Sequence, residues 1–207
     1  MGKNKRKPGT WLMTGGLLLI AAALFLTGYN LWDEQRAGKT AGRVLGQMPV
    51  IGEAPELISH PGDLVIPDYL LNPDMEMPTV EIDGDAYIGT LEIPALDLTL
   101  PVMSEWSYPK LKIAPCRYAG TAYKGGFVIA GHNYRRHFGP LKSLAPGDRV
   151  TFTDADGNLF AYDVAEIQVL KPTAIEDMVS KEWDLSLFTC TLGGQTRLTV
   201  RCEACEE

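Results

Sequence analysis

Residues 8–32 contain no Asp, Glu, Lys or Arg, and that absence excludes an ordinary water-facing helix. Within it Leu12–Leu26 is almost wholly apolar. A bilayer core ~30 Å thick needs about 20 apolar residues at about 1.5 Å rise each, so the stretch is long enough to span. No A-x-A cleavage site follows it, and the run exceeds the ~7–15 residues of a secretory h-region. An uncleaved transmembrane anchor is therefore expected over residues 1–32. Trp11 at one end, and Tyr29 with Trp32 at the other, suit the membrane interfaces. Lys3, Lys5, Arg6 and Lys7 precede the apolar run whereas Asp33 and Glu34 follow it. Basic residues stay on the cytoplasmic side, so the N-terminus is expected inside and everything after residue 32 outside.

Positive charge is also scarce beyond that tail. The chain carries a formal net charge of −7, and removing the four basic residues before Pro8 leaves 15 basic against 26 acidic ones, a net of −11. Nucleic acids and anionic lipid surfaces attract basic clusters, so the exported part is not expected to bind nucleic acid. Cysteine is limited to four residues and histidine to three. Cys202-Glu203-Ala204-Cys205 forms a C-x-x-C, but a zinc site would need two further ligands at matching spacing. Only Cys116 and Cys190 remain as thiols, so neither metal nor cofactor is expected. A disulfide or a free pair at Cys202 and Cys205 are both open readings, and Cys116 is read as structural.

Helical signals are few after the anchor. Residues 33–79 read as a stalk, because Pro49, Pro55, Pro61, Pro67, Pro73 and Pro78 remove backbone donors and disfavour helix and sheet ladders. Tyr69-Leu70-Leu71 within it could instead fold back over the following domain as a lid, since apolar residues in a polar linker seek a surface. Residues 80–207 read as one mostly β domain. Ile88–Ile93 and Leu96–Met103 are short strands separated at Pro94, and Gly126–His132 is an apolar run suited to a central strand. Phe138–Leu144 is short and weakly helical, ending at the Pro146-Gly147-Asp148 turn. Asp156-Gly157 between Val150–Phe152 and Leu159–Leu170 signals a hairpin. Residues 173–180 form one helical excursion, and Leu185–Thr191 and Arg197–Arg201 are the last strands. Many short strands with regular turns and little helix imply a closed or nearly closed barrel.

Three polar side chains stand on this β framework. His132 ends an apolar strand at Gly131-His132-Asn133, where a ring can project from a rigid base. Strand alternation puts Phe188 and Cys190 on one face, and Arg197, Thr199 and Arg201 on one face of the next strand. The short connection from Cys190 to Arg197 lets the two meet. A cysteine nucleophile acts as its thiolate and needs an imidazole or cation beside it, and a guanidinium can hold a carbonyl oxygen as it gains charge. Each residue alone has a plainer explanation: an inert buried thiol, a structural histidine, or a solvated edge-strand arginine. His137, in Tyr134-Arg135-Arg136-His137-Phe138, reads as a solvent-exposed loop residue. Asp184 is a candidate to orient His132, and Arg201 competes with Arg197.

At these residues the chain resembles the sortase family. Sortases carry a His near the end of an apolar strand, a Thr-Leu-x-Thr-Cys segment and an Arg on the following strand. The matching segments here are Gly131-His132-Asn133, Leu187-Phe188-Thr189-Cys190-Thr191 and Arg197-Leu198-Thr199-Val200-Arg201. The similarity runs over roughly residues 85–203, taking in Tyr87-Ile88-Gly89, Leu141-x-x-Leu144 and Gly147-Asp148. It implies a mostly β fold: a closed eight-stranded sortase-type β-barrel with short helices, preceded by the one transmembrane helix. It also implies a cysteine transpeptidase that cuts an LPxTG-like sorting signal through a thioacyl intermediate at Cys190. His132 would act as acid and base, and Arg197 would hold substrate and oxyanion. Thr189 and Asn133 are candidate substrate contacts. The implied partners are surface proteins bearing the signal and an amine of a cell-wall precursor or a pilin. No Asp-Pro-aromatic lid motif of the pilus-polymerising class occurs in the stalk, since Asn72-Pro73-Asp74 does not match it. Rival readings are another cell-wall cysteine transpeptidase or peptidase, and a non-catalytic membrane-tethered β-barrel that binds a wall polymer or protein. The L,D-transpeptidase pattern Ser-His-Gly-Cys is not met at Cys190, and papain-like enzymes place Cys before His.

Overall fold

The computed structural model describes residues 8–48 and 66–205. The basic residues before Pro8, the prolines at 49, 55 and 61, and His60 lie outside the described residues. The chain divides into two compact units, Met1–Arg36 and Ala37–Glu207.

Helix α1 covers Pro8–Leu45 and so crosses from the first unit into the second. In the first unit it is long and apolar enough to cross a membrane, with an 18-residue window of mean hydropathy 1.9. Its apolar side chains, among them Leu12, Leu19, Leu24 and Phe25, are exposed. Tyr29 and Trp32 approach with ring centroids 6.0 Å apart, and Arg36 pairs with Asp33 at 2.9 Å. The helix continues without a break past Trp32 because the next proline is Pro49; a helix persists until a residue removes its donor or clashes with the preceding turn.

The second unit is a barrel. Its strands are β1 (Val80–Ile82), β2 (Asp85–Ile93), β3 (Leu98–Met103), β4 (Cys116–Thr121), β5 (Gly125–Ala130), β6 (Arg149–Asp154), β7 (Leu159–Leu170), β8 (Leu185–Cys190) and β9 (Arg197–Ala204). They run in the order β1-β2-β3-β4-β5-β8-β9-β7-β6, and β6 also pairs with β2. That last pairing closes eight strands, β2 to β9, into a ring, while β1 is a short extra partner on the free half of β2. The switch between the two partners falls at Gly89, where β2 is bulged. Its φ is +154°, and a Cβ there would run into the Thr153 carbonyl oxygen. Only glycine lets β6 close against the strand at that point.

The expected strands split at Pro94, the central strand before His132, the Asp-Gly hairpin and the last two strands are all present. Short helices are α2 (Asp68–Leu71), α3 (Tyr108–Leu111) and α4 (Ile175–Met178). Strand β4 gave no clear signal in sequence, because two register shifts break its alternation against β5. The barrel interior is filled by Ile88, Leu91, Phe127, Ile129, Phe152, Leu187 and Val200. The end of α1 and the turn after it belong to this unit: Ala41 joins the main core, and Val44 and Met48 pack with Ile82, Tyr87, Met103 and Cys116.

Candidate active site

Strands β8 and β9 are antiparallel with Cys190 directly opposite Arg197, Phe188 opposite Thr199, and Ser186 opposite Arg201. Leu185, Leu187 and Thr189 point the other way and are buried in the barrel. Strand β5 lies parallel to β8 with Ala130 opposite Phe188. The Gly131 N–H then donates to the Phe188 carbonyl at 3.0 Å. The loop carrying His132 is therefore tied to the strand carrying Cys190, and His132, Cys190 and Arg197 gather at one end of the barrel.

The His132 loop is tightly built. Phe138 N–H donates to the His132 carbonyl at 3.1 Å, and His137 and Gly139 N–H both donate to the Tyr134 carbonyl. A Cβ on Gly131 would sit 2.5 Å from the Phe138 ring, so this close approach needs glycine. The His132 ring stacks on Tyr134 with centroids 4.8 Å apart and planes 22° apart, and Tyr134 meets His137 at 5.5 Å. The expectation of an exposed His137 is corrected: it is fully buried. Burial, then the neighbouring His132, push its pKa down to about 4.

Arg201 faces the same side of β9 as Arg197 but is 1% exposed. Its Nη1 donates to Ser186 Oγ at 2.8 Å and to the Met178 carbonyl at 3.3 Å, and its Nη2 to the Asp177 carbonyl at 2.5 Å. It thus fastens α4 over the β8–β9 face. Asp184 is not beside His132: it immediately precedes β8 at the strand's far end, where its Oδ2 accepts from the Ala204 N–H at 2.7 Å.

Two clefts meet at Cys190. The larger, 750 Å³, is bordered by Asn133, Arg135, Lys142, Thr189 and Leu192 as well as Cys190. The smaller, 190 Å³, holds His132, Cys190 and Arg197 together with Trp106, Tyr118, Phe188 and Met178. Its aromatic wall is continuous, since Tyr118 packs edge-on against Phe188 at 5.2 Å and meets Trp106 at 5.4 Å. Tyr118 comes from β4 and Trp106 from the segment before α3, where the sequence offered only scattered rings, while Phe188 stands on β8. Arg197 Nη1 donates to the Gly194 and Thr196 carbonyls, each at 3.0 Å. Thr189 Oγ1 is buried at the edge of the larger cleft and has no hydrogen-bond partner among the described residues.

The four thiols are all free and differ sharply. Burial pushes Cys116 and Cys202 up to about 12, which keeps them protonated. Burial and the Asp163 carboxylate raise Cys205. Cys190 is half-buried and opens into both clefts. A barrel bearing such a thiol beside an imidazole and a guanidinium has the composition of a cysteine acyl-transfer enzyme.

The comparisons with known proteins agree. The sortase-domain family model matches residues 91–205, and the chain belongs to the sortase family. Solved structures with the same fold include sortase C1 of Streptococcus agalactiae, 26% identical, with a TM-score of 0.54 over 61% of this chain and 72% of that one. Sortase C of Clostridium perfringens SM101 is 28% identical, with a TM-score of 0.51 over 68% of this chain and 76% of that one. Sortase C of Streptococcus pneumoniae, described for its catalysis and pilin substrate specificity, is 26% identical with a TM-score of 0.54 over 58% and 70%. Curated protein sequences give no match. Family and fold together imply a cysteine transpeptidase.

Proposed function

We propose that this is a membrane-anchored sortase that cuts an LPxTG-like sorting signal and joins the severed protein to an amine of the cell wall or of a pilin. The observation that carries the reading is the register of β8 on β9, which sets Cys190 opposite Arg197, together with the Gly131–Phe188 hydrogen bond that ties the His132 loop to the same strand. Cys190 Sγ, as thiolate, attacks the carbonyl carbon of the signal's Thr. Arg197 holds the oxygen as it gains charge. The C–N bond to the following Gly breaks, His132 gives its proton to the departing amine, and a thioester remains on Cys190. An incoming amine then attacks the thioester, passes a proton to His132 and expels the thiolate. Thr189 and Asn133, on the edge of the larger cleft, are assigned to substrate contact. The helix from Trp11 anchors the chain with its basic N-terminus in the cytoplasm and the barrel outside.

The test uses the full chain in detergent with quenched peptides of the Leu-Pro-x-Thr-Gly type, with and without a primary-amine acceptor. Cleavage with a thioester adduct on Cys190, lost in Cys190→Ala, is the expected result. Arg197→Ala should lower kcat roughly 10²–10³-fold. Iodoacetamide should modify Cys190 and Cys205 in the folded chain while Cys116 and Cys202 stay protected. Modification at Cys205 but never at Cys190, with no cleavage across a sorting-signal library, defeats the reading.

A further inference from the structure

A continuous set of contacts runs from the end of α1 to the ring of His132. Ala37 and Ala41 on α1 are 1% and 2% exposed. Between them Gly38 lies so close to Arg136 that a Cβ would collide with its Cδ and stand 3.2 Å from its Cβ. The next residue, His137, is fully buried with the Ala37 backbone against it. His137 meets Tyr134 at 5.5 Å, and Tyr134 lies flat on His132 at 4.8 Å. The Tyr134 carbonyl also accepts from His137 and Gly139 N–H, so ring and backbone are fixed together.

We propose that Tyr134 and His137 are positioning residues, through which the last turns of α1 hold the imidazole of His132 in its working orientation. The proposal builds on the acid–base role assigned to His132 above. Physical chemistry supports it. A side chain used only to fill this space would be apolar, because burying an imidazole costs free energy that an aliphatic or phenyl group avoids. The ring that is buried stays neutral near pH 7, so it adds no positive charge behind His132 when that residue takes up a proton. Chemistry that depends on a placed imidazole is sensitive to shifts of about 1 Å, and α1 supplies a rigid backing.

The experiment compares the full chain in detergent micelles with Tyr134→Leu, Tyr134→Phe and Gly38→Val. Against a quenched Leu-Pro-x-Thr-Gly peptide, Tyr134→Leu should lower kcat roughly tenfold or more and leave KM within about twofold. Tyr134→Phe keeps the ring and should restore most of the lost kcat. Gly38→Val, remote from the thiol, should act in the same direction. Equal kcat for the Leu and Phe variants, or a change confined to KM, overturns the proposal. A second readout needs no turnover, because the chain has only three histidines. The His132 ring protons, shielded by Tyr134, should move downfield in Tyr134→Leu and shift in Gly38→Val. Unchanged His132 resonances in both variants overturn the positioning role even if peptide is cleaved. Shifted resonances without any peptide cleavage support the positioning while defeating the sorting-signal reading.

Discussion

Between Arg136 and Phe138, one polar residue departs from the exposure its neighbours in sequence lead one to expect. His137 sits in a run of polar residues but is fully buried, because α1 closes over it from Ala37 onward. Its neutrality has a stability consequence whose sign is fixed. The unfolded imidazole titrates near ~6.5, and the folded one near about 4. Between those values the unfolded chain binds a proton that the native chain refuses, so stability is full above the unfolded value and falls as pH drops toward the folded one. The barrel should be about 2 kcal/mol less stable at pH 5 than at pH 7 from this group alone. Denaturant midpoints at the two pH values measure it, and His137→Gln should flatten the difference. A midpoint difference unchanged by that substitution would mean other groups govern the acid side. Arg201 is the other residue whose surroundings decide its part. Strand alternation correctly grouped it with Arg197, but α4 covers one arginine and leaves the other facing the smaller cleft.

At the scale of elements, the segment from Ile66 to Thr79 attaches to the barrel by side chains. Tyr69 on α2 stacks on Tyr123 at 4.8 Å and meets Phe160 at 5.2 Å. Asp74 pairs with Lys124, and Glu76 with Arg117 at 3.5 Å. Leu70 and Leu71 remain exposed. Tyr123 precedes β5 and Phe160 lies near the start of β7, whereas His132 follows β5 and Leu170, the last residue of β7, lies opposite Arg197. Tyr69 therefore docks at the end of the barrel away from Cys190. Tyr69→Ala should cost about 1–2 kcal/mol of stability through the lost ring contacts while leaving peptide cleavage by Cys190 unchanged. A fall in kcat without a fall in melting temperature would show that this segment reaches the chemistry.

For the whole molecule, the boundary of the folded unit lies inside α1. Ala37, Ala41, Val44 and Met48 are buried against the barrel, and Arg43 pairs with Asp83 at 2.7 Å. That exposed ion pair adds little, but burying Val44 and Met48 contributes on the order of 3–6 kcal/mol, a large part of a typical net stability of ~5–15 kcal/mol. A chain beginning at Ile66 should melt on the order of 10 °C below one beginning at Asp33, as measured by calorimetry on both truncated proteins. Equal melting temperatures would mean that the α1 contacts contribute nothing.

Local pattern alone determined much of this protein. An uncharged run of apolar residues, alternating strands broken by Pro and Asp-Gly, and the segments around His132, Cys190 and Arg197 are each written within a few neighbouring residues. Period-two alternation and turn chemistry are short-range rules, so strands β5 to β9 and the facing of Cys190 and Arg197 were legible. What closes the ring was not legible, because the β2–β6 pairing joins residues far apart in sequence and depends on a carbonyl passing close to Gly89. Nor were the burial of His137, the covering of Arg201, the displacement of Asp184 and the aromatic wall of Trp106, Tyr118 and Phe188. Each of these depends on which distant segment lies over a given face. The tertiary structure alone decides that, because the same exposed-looking side chain is buried or free according to the packing of another part of the chain.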